Sequence, residues 1–180
     1  QTSMERAAYV DVHPLNNPSG GGSPIEFFIP SSSDEYIDLN DSLLYIRGKV
    51  HKEDGTNLTS GALVAFSNLP LASLFSDVSV VINDRQIEGG NHMYPYKTYM
   101  SYLLRFNKDA VDTHVRGTGF YKDEFGKMEA TEQKGFKARK QLVEVSKVFE
   151  FSEPITLDIF QQIRYLMPNA DVRLKFLRHK

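Results

Sequence analysis

Five histidines, His13, His51, His92, His114 and His179, are the residues of this 180-residue chain best suited to hold a metal, and their spacing denies them that role. None is paired as in H-x-x-x-H, and a metal needs ligands that converge. The chain has no cysteine, which excludes thiolate ligation and disulfides alike. The adjacent carboxylates Asp34-Glu35 and Asp123-Glu124 lie in loop-like sequence, where solvated charge is the expected state. Glycoside hydrolysis needs two carboxyls facing each other across a cleft, which neighbours in sequence do not provide. Ser31-Ser32-Ser33 follows Pro30 without a Gly-x-Ser-x-Gly elbow, so a nucleophile has no framework. Gly20-Gly21-Gly22 precedes a strand and is not followed by Lys-Ser/Thr, so it does not cradle phosphate. Lys134, Lys137, Arg139 and Lys140 form the one basic cluster, which neighbouring acids dilute; it reads as a solvated loop. Tyr94, Tyr96, Tyr99 and Tyr102 could stack on a sugar ring, but their helical spacing favours packing against a core. The expectation is a chain with no catalytic, cofactor-binding or metal-binding residues, and not an enzyme.

Composition narrows the class further. A hydrophobic share of 41% with twelve Phe and nine Tyr suits one globular domain with a ring-rich, sheet-on-sheet core. The formal net charge of −2 and a pI near 6.2 give none of the basic footprint that phosphate backbones require, so no direct nucleic-acid site is expected. No run approaches the roughly 18 apolar residues of a membrane span, and the first residues given show no basic-then-apolar secretory pattern. Absence of cysteine fits a reducing compartment.

The elements follow from periodicity and breakers. Residues 1–24 end in Asn16-Asn17-Pro18-Ser19-Gly20-Gly21-Gly22-Ser23-Pro24 and read as a flexible N-terminal arm, an unstructured tail that could order on a neighbour. A single domain is expected over 25–180. Leu44, Ile46, Gly48 and Val50 alternate with Tyr45, Arg47, Lys49 and His51, the period of a half-buried strand. Val80 with Ile82, Leu157 with Ile159, and Val172 with Leu174 repeat the pattern; these apolar positions, together with Leu44 and Ile46, are predicted to face the core. Many short strands between turn clusters predict an all-β sandwich or barrel. One amphipathic helix is predicted within 93–106, where Pro95 suits a first turn and Tyr96, Tyr99, Met100 and Leu103 share a face. Residues 107–144, charged and glycine-dotted, read as a long exposed excursion.

Several segments resemble a known family in their order and spacing. They are Pro24-Ile25-Glu26-Phe27, Tyr36-Ile37-Asp38-Leu39, Leu43-Leu44-Tyr45-Ile46, Leu71 to Val78, Val81-Ile82-Asn83-Asp84, Tyr94-Pro95-Tyr96-Lys97-Thr98-Tyr99, Phe120-Tyr121-Lys122-Asp123, and the closing stretch Leu157 to Phe176, which reads as two strands around a turn. Over residues 9 to 180 the chain resembles the N-terminal jelly roll of double-jelly-roll major capsid proteins from Polinton/Maverick and adintovirus-type elements. The resemblance implies an eight-stranded jelly roll whose intact protein forms pseudo-hexagonal trimeric capsomers of an icosahedral shell. It implies copies of itself and a minor capsid protein as partners, no cofactor, and residence in the virion after assembly in the host nucleus or cytoplasm. The final turn departs from the family pattern, with Pro168-Asn169-Ala170 where Asn-Gly is common. The family protein continues into a second roll, so the chain is expected to be the first of two. A penton-type single-jelly-roll minor capsid protein and a carbohydrate-binding jelly roll are the alternatives.

Protein purified without chelator should carry no stoichiometric transition metal by elemental analysis. One equivalent retained through gel filtration would point instead to a metal-dependent jelly-roll enzyme.

Overall fold

Alternation of apolar and polar side chains builds two antiparallel sheets, seen in a computed structural model that describes residues 6–18, 23–128 and 130–179. Among these residues six strands form: β1 (Ile25–Ile29), β2 (Leu43–Gly48), β3 (Phe75–Ile82), β4 (Arg85–Glu88), β5 (Phe149–Pro154) and β6 (Val172–Arg178). One sheet runs in the order β1-β6-β3-β4, and the other is the pair β2-β5. The pairings nest, β1 with β6, β2 with β5 and β3 with β4. This is one long hairpin rolled so that its successive pairs fall in opposite sheets, the connectivity of a jelly roll. At the tip of the hairpin, Asn83 and Asp84 join β3 to β4 with φ of 46° and 63°, the doubly positive backbone that matches strand twist and that Asn and Asp tolerate. Just after β4, Gly89 (φ 117°) lies so close to β3 that a Cβ there would sit 2.4 Å from that of Ser79. Glycine is therefore required at that position.

β6 lies between β1 and β3, and its inward residues Val172, Leu174 and Phe176 are buried. They meet Phe75, Val78 and Val80 from β3, with the Phe176 ring edge-on to Phe27 of β1. The second layer is only partly sheet. Helix α1 (Pro70–Ser73), helix α2 (Tyr94–Arg105) and the 3-10 turn His114–Thr118 complete it, bringing Ala72, Tyr94, Tyr102, Val115 and Phe120 into the core. Two further helices, α3 (Lys108–Asp112) and α4 (Lys134–Val143), lie in the long segment between α2 and β5.

Several sequence expectations need correction. Six strands, not eight, are present among the described residues; α2 and the 114–118 turn pack against β3 and β5 beside them. Residues 107–144 are not one exposed excursion: α4 buries Gly135, Arg139 and Val143, spaced four apart on one helical face. Leu157 and Ile159 do not lie on a strand. Leu157 is buried immediately before a 3-10 turn, Asp158–Gln161, within which Ile159 is half-buried and Phe160 takes the core position. The closing stretch is thus a turn followed by one strand, with Leu166 forming an isolated bridge to Ile37. Strand β2 stops at Gly48, short of Val50. The predicted helix is present, but its buried face carries Tyr94, Thr98 and Tyr102, leaving Tyr96, Met100 and Leu103 exposed. The remaining predicted core positions face inward: Val80, Val172 and Leu174 are buried, and Leu44, Ile46 and Ile82 are half-buried against the same cluster. Of the N-terminal arm, 1–5 and 19–22 lie outside the described residues.

Phe176 is 0% exposed whereas Leu43 is 60% exposed. Phe176→Ala should cost about 3–5 kcal/mol in urea unfolding, and Leu43→Ala within about 0.5 kcal/mol of nothing. Equal effects would contradict the observed strand faces.

Candidate functional site

The five histidines are all exposed and lie apart, and among the described residues no three His, Cys, Asp or Glu side chains gather as metal ligands. Asp34 and Glu35 are exposed. Asp123 and the basic cluster behave differently from the solvated loops their sequence suggests. Helix α4 turns Arg139 inward, where its guanidinium donates to the carbonyls of Phe66 (3.0 Å) and Tyr121 (2.9 Å) and to the Asp123 carboxylate (2.9 Å). Gln133, before the first turn of α4, donates to the same Asp123 oxygen (2.6 Å) and accepts from the Glu124 N–H (3.2 Å). Asn68 holds Tyr121 through both backbone groups, donating to its carbonyl (2.8 Å) and accepting from its N–H (2.9 Å). Gly135 leaves room for this arrangement, since a Cβ there would stand 2.5 Å from the Asp123 carboxylate. Arg139 and Gln133 meet on one oxygen of Asp123, so the cluster clasps the 107–144 segment to the sandwich. The signal in the sequence was the Gly135-Arg139-Val143 spacing, which the surrounding lysines obscured.

A second polar group lies inside the core. Thr98 on α2 and Thr156 after β5 share a hydrogen bond between hydroxyls, the Tyr94 hydroxyl bonds to the same pair, and Tyr102 bonds to Thr118. Beside them Glu153 of β5 is 2% exposed, and neither carboxylate oxygen has a hydrogen-bond partner of ordinary geometry. Burial pushes its pKa up to about 8, offset only in part by the Ala72 backbone N–H. Burial likewise raises Tyr94 to about 12 and raises Tyr102 well above the usual phenol range, each with an added push from Glu153. A strongly raised carboxyl is one mark of a functional site, but a proton carrier must also reach a substrate. The neighbouring cleft, about 190 Å³, is lined by Asn40, Tyr102, Arg105, Pro154, Thr156 and Gln161, and Glu153 does not open into it. Arg105 there is engaged by the Gln161 side chain. Asp77 is also buried; one carboxylate oxygen accepts the Gly90 N–H (2.6 Å), and the residue borders a void of about 10 Å³, space for one water.

The chemistry that does reach solvent is apolar. On α2 the outward row Met93, Tyr96, Met100, Leu103 and Leu104 is exposed, with Leu104 at 80%. The spacing makes these residues one face of the helix, so α2 is apolar on the side away from its own core. Ile163, Tyr165 and Met167 are exposed after the 158–161 turn, and Leu43 and Tyr45 project from β2. Scattered apolar side chains are ordinary on a soluble protein, whereas here they fall in one row on one helix. The arrangement therefore consists of exposed apolar side chains outside and polar clasps within.

No family model and no curated protein matches the chain. Among solved structures it is similar to a chain in a quasi-atomic model of the PBCV-1 virus capsid, at 18% identity and a TM-score of 0.50. It is likewise similar to the crystal structure of PBCV-1 VP54 fitted into a cryo-EM reconstruction of the virophage Sputnik, at 18% identity and a TM-score of 0.51. In both cases 99% of this chain is covered, and it spans 37% of the length of the matched chain. At this identity the likeness establishes a shared fold, the jelly-roll sandwich of capsid chains.

Glu153 generates a pH prediction. Between the ordinary glutamate value of 4.5 and about 8, the folded protein keeps a proton that the unfolded chain releases. Stability from this group is therefore full below pH 4.5, falls as pH rises to about 8, and is level beyond. The total change is about 5 kcal/mol. Glu153→Gln, which cannot ionise, should remove this decline from the pH profile of urea unfolding; an unchanged profile would contradict the assignment.

Proposed function

We propose that the chain is a structural module of a viral shell, one jelly roll of a two-roll capsid subunit, and that it has no catalytic role. The observation that carries this reading is the nested strand pairing, taken with its overlay along nearly its whole length on capsid chains of which it spans 37%. A subunit made of two such rolls would extend well beyond a single one, as the matched chains do. The exposed apolar row of α2 supports it, because a shell protein meets neighbours over broad surfaces. The polar clusters support it too: Arg139 and Asp123 are consumed in holding a loop, and Glu153 is closed off from the cleft.

On this reading the intact subunit forms trimers of pseudo-hexagonal outline, which tile an icosahedral shell alongside a minor capsid protein. The resemblance of the sequence to Polinton/Maverick and adintovirus-type capsid proteins supplies the finer assignment. The protein would then reside in the virion. Among the described residues no helix is long and apolar enough to cross a membrane.

Light scattering tests the assembly. The 180-residue chain should be a monomer or weak oligomer at micromolar concentration, because one roll offers only half of the ring contacts and falls short of the roughly 1,200–2,000 Å² of a stable interface. The same chain extended through a second roll should trimerise. A stable pentamer from the 180-residue chain would assign it to a penton-type protein, and a monomer from the extended chain would overturn the proposal.

A further inference from the structure

The N-terminal arm, the open edge of β1 and the shape of the contact between them point to an exchange of arms between copies. β1 is the outermost strand of its sheet, bonded to β6 on one side only. On its other side the Leu15 N–H donates to the Glu26 carbonyl (2.7 Å), and the Glu26 N–H donates to the Asn16 side chain (3.3 Å). The Asn16 amide also donates to the Pro24 carbonyl. Both backbone groups of Glu26 thus face the arm, as they must on the outer edge of an antiparallel ladder. Along residues 11–16 burial alternates, with Val12, Pro14 and Asn16 half-buried and Asp11, His13 and Leu15 exposed. Period-two burial beside a strand edge is the signature of an added strand. Pro14 suits that place, because on the outermost strand its missing N–H removes a donor only from the solvent side.

This added strand is barely begun. Among the described residues the Leu15–Glu26 bond is the one backbone bond between arm and sheet. By the alternation of an antiparallel edge, Phe28 turns its N–H and carbonyl to the same side as Glu26, beyond the point where the arm is bonded. Further out, Tyr9 and Val10 are exposed, and Tyr9 is held by its hydroxyl on Asp41. An arm whose backbone fits this edge but whose apolar side chains bury little against its own sandwich has a small preference for its own copy over an identical one.

We infer that residues 9–16 can lie along the β1 edge of a second copy of this chain, extending its sheet by one antiparallel strand in the register Leu15 opposite Glu26. The occupant is the arm of another copy, because the contact within one chain already displays the fit. A tethered arm competes at a millimolar effective concentration, so exchange is confined to crowded surroundings, of which a shell is the extreme case. The inference rests on the shell-building reading for the presence of close neighbours.

Two singly substituted chains test it, since the natural chain contains no cysteine and directly opposed antiparallel residues stand at a separation a disulfide can span. Leu15→Cys and Glu26→Cys proteins are mixed at about millimolar concentration, matching the tether, and oxidised. The expected result is a mixed disulfide formed several-fold more than in a control with Lys137→Cys on α4 replacing Glu26→Cys. The double variant at high dilution should close the same bond within one chain, which verifies the register. A mixed disulfide no more abundant than the control, with the internal one formed, would overturn exchange while leaving the trimerisation of the extended chain to judge the shell reading separately. Failure of the internal disulfide as well would overturn the register itself.

Discussion

Strand β6 closes this molecule. It comes last in the chain and yet lies between the first strand and the third, so the roll is not formed until residues 172–178 return to meet β1 and β3. Val172, Leu174 and Phe176 are the inward half of an alternation that puts Arg173 and Lys175 outside, and they touch apolar residues from both neighbours. A register slip of one residue would expose all three and bury two cations. The second sheet depends on the same closure. β2 and β5 pair only with each other, so their layer keeps its place through Leu44 and Ile46 packing toward the first sheet. Pairing of chain ends separated by most of the sequence carries a high loop-closure cost, and such topologies fold slowly.

Polar groups inside the sandwich divide into two kinds. The Arg139–Asp123–Gln133 cluster is well partnered, its guanidinium and amide meeting on one Asp123 oxygen, and a buried pair with such added hydrogen bonds can hold a loop conformation. Glu153 is the opposite case, a carboxyl with no partner set among tyrosines and threonines, and it opposes folding at neutral pH. Its place on β5, directly opposite Leu44 in the second sheet, puts that cost in the thinner layer of the molecule. The fold tolerates it because the thicker sheet carries most of the apolar core.

Much of the fold was legible in the sequence where one period ran without interruption. Val172-Arg173-Leu174-Lys175-Phe176 and Leu43 to Gly48 alternate cleanly and are strands, and Pro95 opens a helix whose bounds, Tyr94–Arg105, fall inside the expected window. The face of that helix was not legible. Its more apolar row, Tyr96, Met100 and Leu103, is the outward one, while the core accepts Tyr94, Thr98 and Tyr102. A rule that puts the most apolar face inside fails for a helix apolar on two sides. Leu157 and Ile159 misled because two alternating residues fit a strand and a 3-10 turn equally well, and Phe160, off the alternation, is the one the core takes. Helix α4 was hidden by its lysines: a charged segment with one buried arginine looks like a loop until Asp123 is seen beside it.

On the shell-building proposal, this fold serves assembly. Its outward apolar row on α2, its open β1 edge and its closed polar clusters are intelligible together if the molecule's work is contact with copies of itself. Electron microscopy of the protein expressed through its whole reading frame tests this most directly. Capsomers of hexagonal outline, or closed shells built from them, are the expected result; a folded protein that stays dispersed across salt and pH would contradict the proposal.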